Sequence, residues 1–405
     1  MSIAPAAARA QVLSSAAETF AAARTYAASL VSGMIERDRA GSVPWADLAA
    51  LDASGLLGIT VPAAYGGPEL SPVVLAEVIR TIAATDPAIA QIPQAHFLFV
   101  DVLATMGSTV QQQRLFADVL AGARLGNALS ERGGQHAQDL KTRLRRAQGG
   151  LQLNGRKYYC TGAISARWIG VTALDHTGRV VLAFVARDAP GLQVDEDWNV
   201  MGQRATVSGS AVFDHVRVDS GLVIPYQEAF ERPQQLGARA QLVHAAIQVG
   251  IAGAALRDAR DFVTTRARPF FEAARAGWAD TAADDPHTIH RFGELATRVR
   301  AAEALLAAAA ATLAEVGRQP RDAAAAARGS IAAAQAKAFG SETASAVASD
   351  LFALTGASAA DERYDLSRHW RNARTHASHD PVDWKYHHIG RYLLSDVPPP
   401  NHGQL

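Results

Sequence analysis

One stretch of the chain, residues 151–218, carries the alternating apolar pattern of β-strands. Its short runs are rich in Val, Tyr, Phe and Thr, and turn-forming pairs such as Asn154-Gly155 and Pro190-Gly191 separate them. On both sides lie long segments rich in Ala, Leu and Arg that repeat with the 3.6-residue period of helices. The pattern predicts a mostly helical α+β protein, with a β domain between two helical regions and a binding site at their junction.

The flanking segments predict the positions of the helices. Before the strands we expect two helices over residues 6–58, broken near 41–44, and further helical structure from 71 to 123. Gly250 and Gly253 lie inside the first helix after the strands and predict a close approach of a second helix. The predicted helices after the strands cover residues 238–267, 288–316 and 323–353. The predicted domains are an N-terminal helical domain (1–124), a β domain (125–233) and a C-terminal helical bundle with an active-site tail (234–405).

The overall composition excludes several classes of protein. Lys plus Arg and Asp plus Glu number 39 each, so there is no excess charge for binding nucleic acid or an anionic membrane. The single cysteine, Cys160, rules out an intrachain disulfide and a Cys-based zinc site. No signal-peptide core and no apolar run of membrane-spanning length stand out. We therefore expect a soluble cytoplasmic enzyme or binding protein.

Common catalytic and cofactor motifs are missing from the sequence. There is no Gly-x-Gly-x-x-Gly after a strand, no P-loop and no Gly-x-Ser-x-Gly elbow. His376 and His379 are three residues apart and His387 adjoins His388, but no second motif at ligand spacing accompanies them. We expect no metal site, and we interpret these histidines first as solvated or hydrogen-bonded side chains.

Three blocks occur in a fixed order: residues 126–134 (GNALSERGG), 157–162 (KYYCTG) and 198–206 (WNVMGQRAT). Together with the loop at 61–67 (VPAAYGG), they resemble the acyl-CoA dehydrogenase superfamily. The resemblance implies a helical domain, a β domain and a four-helix bundle, assembled as a homotetramer or dimer of dimers. It also implies a flavin, which needs an apolar slot, donors for its ring atoms and cations for its phosphate.

The resemblance assigns cofactor contacts to several segments. Main-chain and hydroxyl donors are expected in the strand and turn of the first two blocks, and Tyr159 falls where the family places an aromatic residue against the ring. An arginine after the first bundle helix is expected to reach the phosphate in the neighbouring subunit, and residues 356–358 fall where the family has a Gly-Gly loop. The implied cofactor-binding residues are Asn127, Ala128, Leu129, Ser130, Tyr159, Thr161, Ala163, Arg266, Arg268, Gly356, Ala357, Ser358 and His376.

The tail departs from the dehydrogenases of this family. Asp380 falls at the position of their catalytic glutamate, but it is shorter and Pro381 follows it. The sequence around residues 371–390 looks instead like the flavin monooxygenase branch, which includes dibenzothiophene monooxygenase. The turn at 130–133 and the segment at 92–97 are most similar to SfnB-type sulfur-acquisition oxidoreductases.

That branch implies different chemistry and different catalytic residues. A partner reductase supplies reduced FMN, and oxygen reacts through a C4a-hydroperoxyflavin that oxygenates a small organosulfur compound. Such an adduct needs shielding from water and a hydrogen-bonding group, for which histidine is suited. The resemblance implies that His96 and His379 face the flavin, with Asp380 orienting His379. Residues 356–358, with Ala and Ser in place of glycine, favour FMN over FAD.

Two other functions are compatible with the same sequence. The first is an FAD-dependent acyl-CoA dehydrogenase with Asp380 as its base. The second is a flavin-binding protein without catalytic activity. The first predicts that an acyl-CoA reduces bound flavin without oxygen, and the second predicts that reduced flavin and oxygen yield only hydrogen peroxide.

Overall fold

A computed structural model describes residues 10–136 and 138–403, and its elements follow the α–β–α order that the sequence predicts. The predicted helical residues 6–9 lie outside the described residues. The N-terminal region is built from seven helices within the described chain. They are α1 (Ala16–Leu30), α2 (Met34–Ala40), α3 (Trp45–Ala53), α4 (Pro72–Ala83), α5 (Pro87–Gln91), α6 (Gln94–Met106) and α7 (Thr109–Leu120).

The prediction of two helices before residue 58 is wrong, because three are present. The predicted break near 41–44 is confirmed, and there Gly41 adopts a left-handed backbone at φ 61°. A second break follows α1, where Gly33 has φ 85°, a conformation that favours glycine. This region is rich in helix-forming residues, so the helical pattern of the sequence did not reveal that break.

The middle of the chain forms one mixed sheet in the order β6-β7-β3-β2-β4-β5-β8, with β1 paired to β4. β1 and β2 run parallel to β4, whereas the other neighbours are antiparallel. Both β1 and β2 precede the predicted strand region. Of the strand run predicted at 157–162, only Lys157 lies in a strand and Tyr158 forms an isolated bridge to Ser130, whereas the remaining residues form a turn. The strands are β1 (Leu125–Ala128), β2 (Arg143–Ala147), β3 (Gly150–Lys157), β4 (Trp168–Leu174), β5 (Val180–Ala186), β6 (Leu192–Val194), β7 (Ala211–Val218) and β8 (Val223–Ile224).

Three long helices form the C-terminal bundle, and α8 is its buried centre. At Gly250 a β-carbon would lie 2.7 Å from the Ala83 Cβ atom of α4, so the predicted close helix approach is confirmed there. At Gly253 no atom of another described element lies within 4 Å of such a carbon, so the same prediction is wrong there within the described chain. The long helices are α8 (Leu236–Thr265), α10 (Pro286–Val316) and α11 (Ala323–Thr355). Three shorter helices of the same region are α9 (Phe271–Arg275), α12 (Ser367–Ala377) and α13 (Val382–Ser395).

Residues of the N-terminal helices and of the bundle share one apolar core, which fixes α4, α5 and α8 against one another. Among the described residues one stretch, Pro87–Met106, has the length and apolar composition of a membrane span. Because 72% of its most apolar window is buried inside the protein, we interpret this stretch as a core segment.

Candidate functional site

Asn127 ties the strand β1 to the turn that follows β3. Its main-chain N–H donates to the Thr161 carbonyl at 3.0 Å, and its side-chain Nδ2 donates to the Tyr159 carbonyl at 3.3 Å. Its Oδ1 accepts a hydrogen bond from the Leu129 N–H at 3.0 Å. The Leu129 N–H is thus already paired within the protein, and the assignment of Leu129 to the cofactor stays a prediction.

Tyr159 presents an aromatic face at this turn. Its backbone is left-handed, with φ 58°, and 44% of the residue is exposed. The edge of its ring meets Trp198 at a centroid distance of 6.1 Å, and the Arg132 guanidinium lies 4.7 Å from the ring centre. An exposed aromatic ring beside a cation is a suitable surface for a flat, electron-poor ring system.

A chain of buried hydroxyl groups continues from the same turn. Thr161 and Ser208 share a hydrogen bond of 2.6 Å, Ser208 donates to the Thr206 hydroxyl, and Thr206 donates to the Gln203 carbonyl, each at 2.8 Å. The side-chain amide of Gln203 is buried, and neither its nitrogen nor its oxygen has a partner within the described chain. Such an unsatisfied amide is costly unless another group, such as a bound ligand, pairs with it.

The other predicted residues of this region provide close packing. Ala128 is fully buried in β1. A β-carbon on Gly126 would lie 2.7 Å from the Ala163 Cα atom, so the strand and the short turn at 163–165 pack backbone to backbone. The Ser130 carbonyl accepts a hydrogen bond from the Tyr158 N–H at 2.9 Å.

Glu131 fixes the loop that follows Ser130. It pairs with the buried ammonium of Lys157 at 2.7 Å and also accepts hydrogen bonds from the main-chain N–H groups of Lys141 and Thr142. Burial alone would raise the pKa of Glu131, but these partners outweigh it and lower the pKa. Glu131 is therefore an ionised structural residue.

Three imidazole rings come together where α8, α12 and the turn before α13 meet. The ring of His379 lies against the ring of His244, with centroids 4.3 Å apart and planes inclined at 35°. The Nδ1 atom of His244 is 3.1 Å from Nε2 of His376, which is also 3.1 Å from the Gln91 side-chain oxygen. His244 and His376 are buried, whereas 44% of the His379 side chain is exposed.

Asp380 lies beneath this cluster and is held by two lysines. Its carboxylate oxygens are 3.4 Å from Lys337 Nζ and 2.6 Å from Lys385 Nζ, and one of them is 3.3 Å from His379 Nδ1. Burial alone would raise the pKa of Asp380, but His379 and the two ammonium groups hold that pKa far below its usual range. A carboxylate this strongly stabilised as an anion is a poor acceptor for a substrate proton.

His96 occupies a different environment from the other predicted catalytic histidine. It is fully buried, its Nε2 is 2.9 Å from the Leu57 carbonyl, and its Nδ1 accepts a hydrogen bond from the Leu125 N–H at 3.2 Å. Burial lowers its pKa to about 4, so the ring is neutral at neutral pH. Both nitrogens of His96 bind main chain, and the ring that contacts His379 is that of His244. The assignment of His96 and His379 to the flavin stays a prediction.

The helix α12 connects the sheet side of the site with the imidazole cluster. The Asn372 side-chain oxygen accepts a hydrogen bond from the Gln203 N–H. A β-carbon on Gly202 would collide with the Arg371 carbonyl at 2.1 Å, so this turn is pressed against the helix. Asn372 and His376 are four residues apart on α12, which places the hydroxyl chain and the imidazoles at successive turns of one helix.

The predicted phosphate-binding residues lie apart from these contacts. The Arg266 guanidinium is 5.1 Å from the centre of the Tyr364 ring, beyond the exposed end of α8. Arg268 is exposed two residues later, and residues 356–358 are exposed at the end of α11, where Gly356 has φ 72°. Among the described residues of one chain, neither these arginines nor residues 356–358 contact the turn at Tyr159.

The described residues fit a flavin at the sheet side of this site. The half-exposed ring of Tyr159 and the unsatisfied amide of Gln203 are suited to a ligand with a flat ring and polar edges. In the described part of the chain no group of three His, Cys, Asp or Glu side chains is arranged to hold a metal ion.

Three residues of the site were not predicted as site residues from the sequence: His244, Lys337 and Lys385, although Lys385 lies within the stretch 371–390 that carries the resemblance. A signal for His244 exists, since Gln241, His244 and Gln248 place polar side chains on one face of an otherwise apolar helix. The two lysines carry no comparable signal, because their pairing with Asp380 joins three separate elements.

Comparisons with known proteins establish the family and the fold of the chain. The sequence models of the acyl-CoA dehydrogenase N-terminal, middle and C-terminal domains match residues 15–123, 127–216 and 242–384. Dibenzothiophene monooxygenase from Rhodococcus erythropolis is 33% identical over 396 residues, covering 93% of each chain. The probable FMNH2-dependent monooxygenase SfnC from Pseudomonas putida is 31% identical and covers 94% of this chain and 95% of its own.

Solved structures show the same relationship. The FMN-bound TdsC from Paenibacillus sp. A11-2 superposes with a TM-score of 0.90 at 28% identity, covering 96% of this chain and all of that one. Both the predicted fold and the predicted resemblance are thus confirmed. The chain belongs to the acyl-CoA dehydrogenase family, in its flavin-dependent monooxygenase branch.

Proposed function

We propose that this chain takes reduced FMN from a flavin reductase and uses O2 to oxygenate a small organosulfur compound. The names of its relatives, a dibenzothiophene monooxygenase and an FMNH2-dependent monooxygenase, support the reaction class and the cofactor. Bound in reduced form, FMN supplies the two electrons that activation of O2 requires. The compartment we propose is the cytoplasm, where reduced cofactors are available.

His379 is the residue we assign to proton handling. Its Nδ1 atom lies next to the Asp380 carboxylate, which favours a proton on that nitrogen. The Nε2 atom, which has no hydrogen-bond partner among the described residues, then holds or releases a proton toward the reacting atoms. Buried neighbours on one side and an exposed edge on the other let the ring screen the cofactor from water while still reaching substrate.

We assign the cofactor to the sheet side of the site. Tyr159 supplies the flat surface, Asn127 and Thr161 fix the turn, and Arg266 or Arg268 neutralises the phosphate of the neighbouring subunit's cofactor. This last role requires an oligomer, for which we propose a homotetramer or dimer of dimers. The domain boundaries we propose, after residues 124 and 233, fall just before β1 and just before α8.

The ion pairing of Asp380 supports oxygenation over acyl-CoA dehydrogenation. A dehydrogenase base must accept a proton from carbon, yet this carboxylate is committed to Lys337, Lys385 and His379. Stabilising the anion to this degree weakens it as a base. The same pairing suits a residue that orients an imidazole.

The test uses purified protein, a flavin reductase with NADH and FMN, O2 and a panel of thioethers, sulfones and sulfinates. We expect an oxygenated product in amounts that follow the reduced FMN consumed. Bleaching of bound flavin by an acyl-CoA without oxygen would support the dehydrogenase instead. Hydrogen peroxide as the sole product with every substrate would support a flavin-binding protein without oxygenase activity.

A further inference from the structure

The ring of His244 packs against the ring of His379. The ring centroids are 4.3 Å apart with the planes inclined at 35°, and no hydrogen bond joins the two rings in the described part of the chain. His244 sits on α8, the buried centre of the bundle, whereas His379 lies in the short turn between α12 and α13. A side chain on a rigid helix therefore supports one on a turn.

Two further residues fix the plane of the His244 ring. Its Nδ1 atom is hydrogen bonded to His376 at 3.1 Å, and the same His376 nitrogen bonds to the Gln91 side-chain oxygen at 3.1 Å. With the Gln91 oxygen accepting, the His376 nitrogen carries the hydrogen, so the His244 Nδ1 atom accepts as well. The three side chains come from α8, α12 and α5, so the ring plane is fixed by three elements.

The charges around the cluster keep these two buried rings neutral. Burial lowers the pKa of His244 well below its usual value, and the nearby His379, His376 and Lys337 lower it further. Burial lowers the pKa of His376 in the same way, again with Lys337 and His379 contributing. A neutral ring that meets His379 only through its face cannot pass it a proton along a hydrogen bond. It can hold that ring in place.

We propose that His244 is a positioning residue that sets the ring plane of His379, with His376 and Gln91 locking His244 in turn. The inference rests on the proposed function, because the His244 ring would control how the His379 Nε2 atom is directed toward the reacting atoms. Asp380 fixes the other edge of the same ring through Nδ1. The His244 ring and the Asp380 carboxylate thus restrain the orientation of the His379 ring from two sides.

The test compares His244→Phe, which keeps a flat aromatic face, with His244→Ala, which removes it. The first readout is the nitrogen NMR spectrum of the His379 ring in the enzyme without flavin, and the second is the product formed per reduced FMN oxidised. His244→Phe keeps the ring but loses the hydrogen bond to His376, so we expect both its His379 signals and its yield to fall between those of the wild type and those of His244→Ala. We expect His244→Ala to broaden those signals and to lower the yield on the order of tenfold or more, with peroxide replacing product.

Three outcomes would overturn the proposal. If the His379 signals and the yield of His244→Ala match those of the wild type, the His244 ring does not position His379. A His244→Phe variant that folds but is as impaired as His244→Ala would show that the nitrogen atoms matter rather than the face. If His244→Ala does not fold, Gln91→Leu replaces it, and there we expect broader His379 signals. Unchanged His379 signals in Gln91→Leu would also refute the locking.

The NMR readout separates this inference from the proposed function. If no substrate yields product with the wild-type enzyme but the His379 signals respond as expected, the oxygenase assignment fails and the positioning role stands. If product forms with the wild type but the His379 signals ignore His244, the positioning role fails and the oxygenase assignment stands.

Discussion

Asp380 is the shared counter-ion of two buried ammonium groups, those of Lys337 and Lys385. Replacing Asp380 with Asn would leave Lys337 and Lys385 buried with less compensation. We expect the free energy of unfolding to fall by about 3 to 5 kcal/mol, as is usual when one partner of a buried ion pair is removed. Urea unfolding followed by circular dichroism measures this change.

The matched control for that variant is Asp383→Asn. Asp383 is exposed in the first turn of α13, so losing its charge removes only a helix-dipole interaction worth about 0.3 to 1 kcal/mol. Equal losses in the two variants would contradict the role given to the Lys337–Asp380–Lys385 cluster.

His96 links two parts of the chain through main-chain hydrogen bonds, and the sequence resemblance alone suggested chemistry for it. His96→Leu would leave the Leu57 carbonyl and the Leu125 N–H unpaired in the core. We expect the free energy of unfolding to fall by about 2 to 4 kcal/mol, because both groups lose their partners. Since Leu125 begins β1, we also expect weaker FMN binding by fluorescence titration.

A different result would restore the chemical role of His96. If His96→Leu kept the wild-type stability and FMN affinity but oxidised reduced FMN without product, the ring would act on the reacting atoms. The structure offers a control in His369→Leu, which removes another buried histidine bonded to Asp258, away from β1.

At the scale of the element, α8 carries two glycines with opposite surroundings. Gly250→Ala would place a carbon 2.7 Å from the Ala83 Cβ atom and 2.8 Å from the Arg80 carbonyl, so α4 and α8 must separate. We expect a loss of about 1 to 3 kcal/mol in the free energy of unfolding, the usual effect of overpacking. Gly253→Ala meets nothing within 4 Å and should gain up to about 1 kcal/mol from helix propensity.

Equilibrium unfolding of the two single variants measures both changes in one experiment. A stabilised Gly250→Ala protein would mean that α4 yields easily, and the rigid support assigned to α8 would then be doubtful.

The elements differ in how far the sequence predicted them. The strands β4, β5 and β7 and the helices α8, α10 and α11 were predicted close to their observed positions, since each has a long, regular apolar pattern. The strand β1 was not, because four residues are too few to show a period, and β2 is rich in arginine. Asp380 and His379 were found through resemblance, but the contacts of His244 and of the lysines depend on tertiary packing, which no local pattern encodes.

For the whole molecule, buried neutral histidines predict sensitivity to acid. The pKa values of His96, His244, His369 and His376 all lie below their usual value, in each case chiefly through burial. Between the usual value and the lowered one, the unfolded chain binds more protons, so stability falls as the pH falls below about 6.5. With a folded pKa of about 4, His96 alone should cost roughly 2 kcal/mol at pH 5.

The carboxylate of Asp380 acts in a different pH range. Its pKa is lowered in the folded state, so its contribution is complete above the unfolded value of about 4 and is lost only below it. Loss of stability between pH 6.5 and 5 therefore reports the histidines less the opposing contribution of Asp52, whose pKa burial raises to about 6. Urea unfolding at pH 7.5, 6 and 5 measures it, and a constant free energy of unfolding across this range would contradict the buried neutral rings.

The most direct test of the oxygenase assignment is the origin of the oxygen atom in the product. With reductase, NADH, FMN and an accepted organosulfur substrate, the reaction is run under 18O2 in ordinary water and the product is analysed by mass spectrometry. We expect one 18O atom in the product of the wild type, and loss of that labelled product with continued peroxide formation in His379→Ala. Product that takes its oxygen from water, or wild-type labelling in His379→Ala, would contradict this expectation.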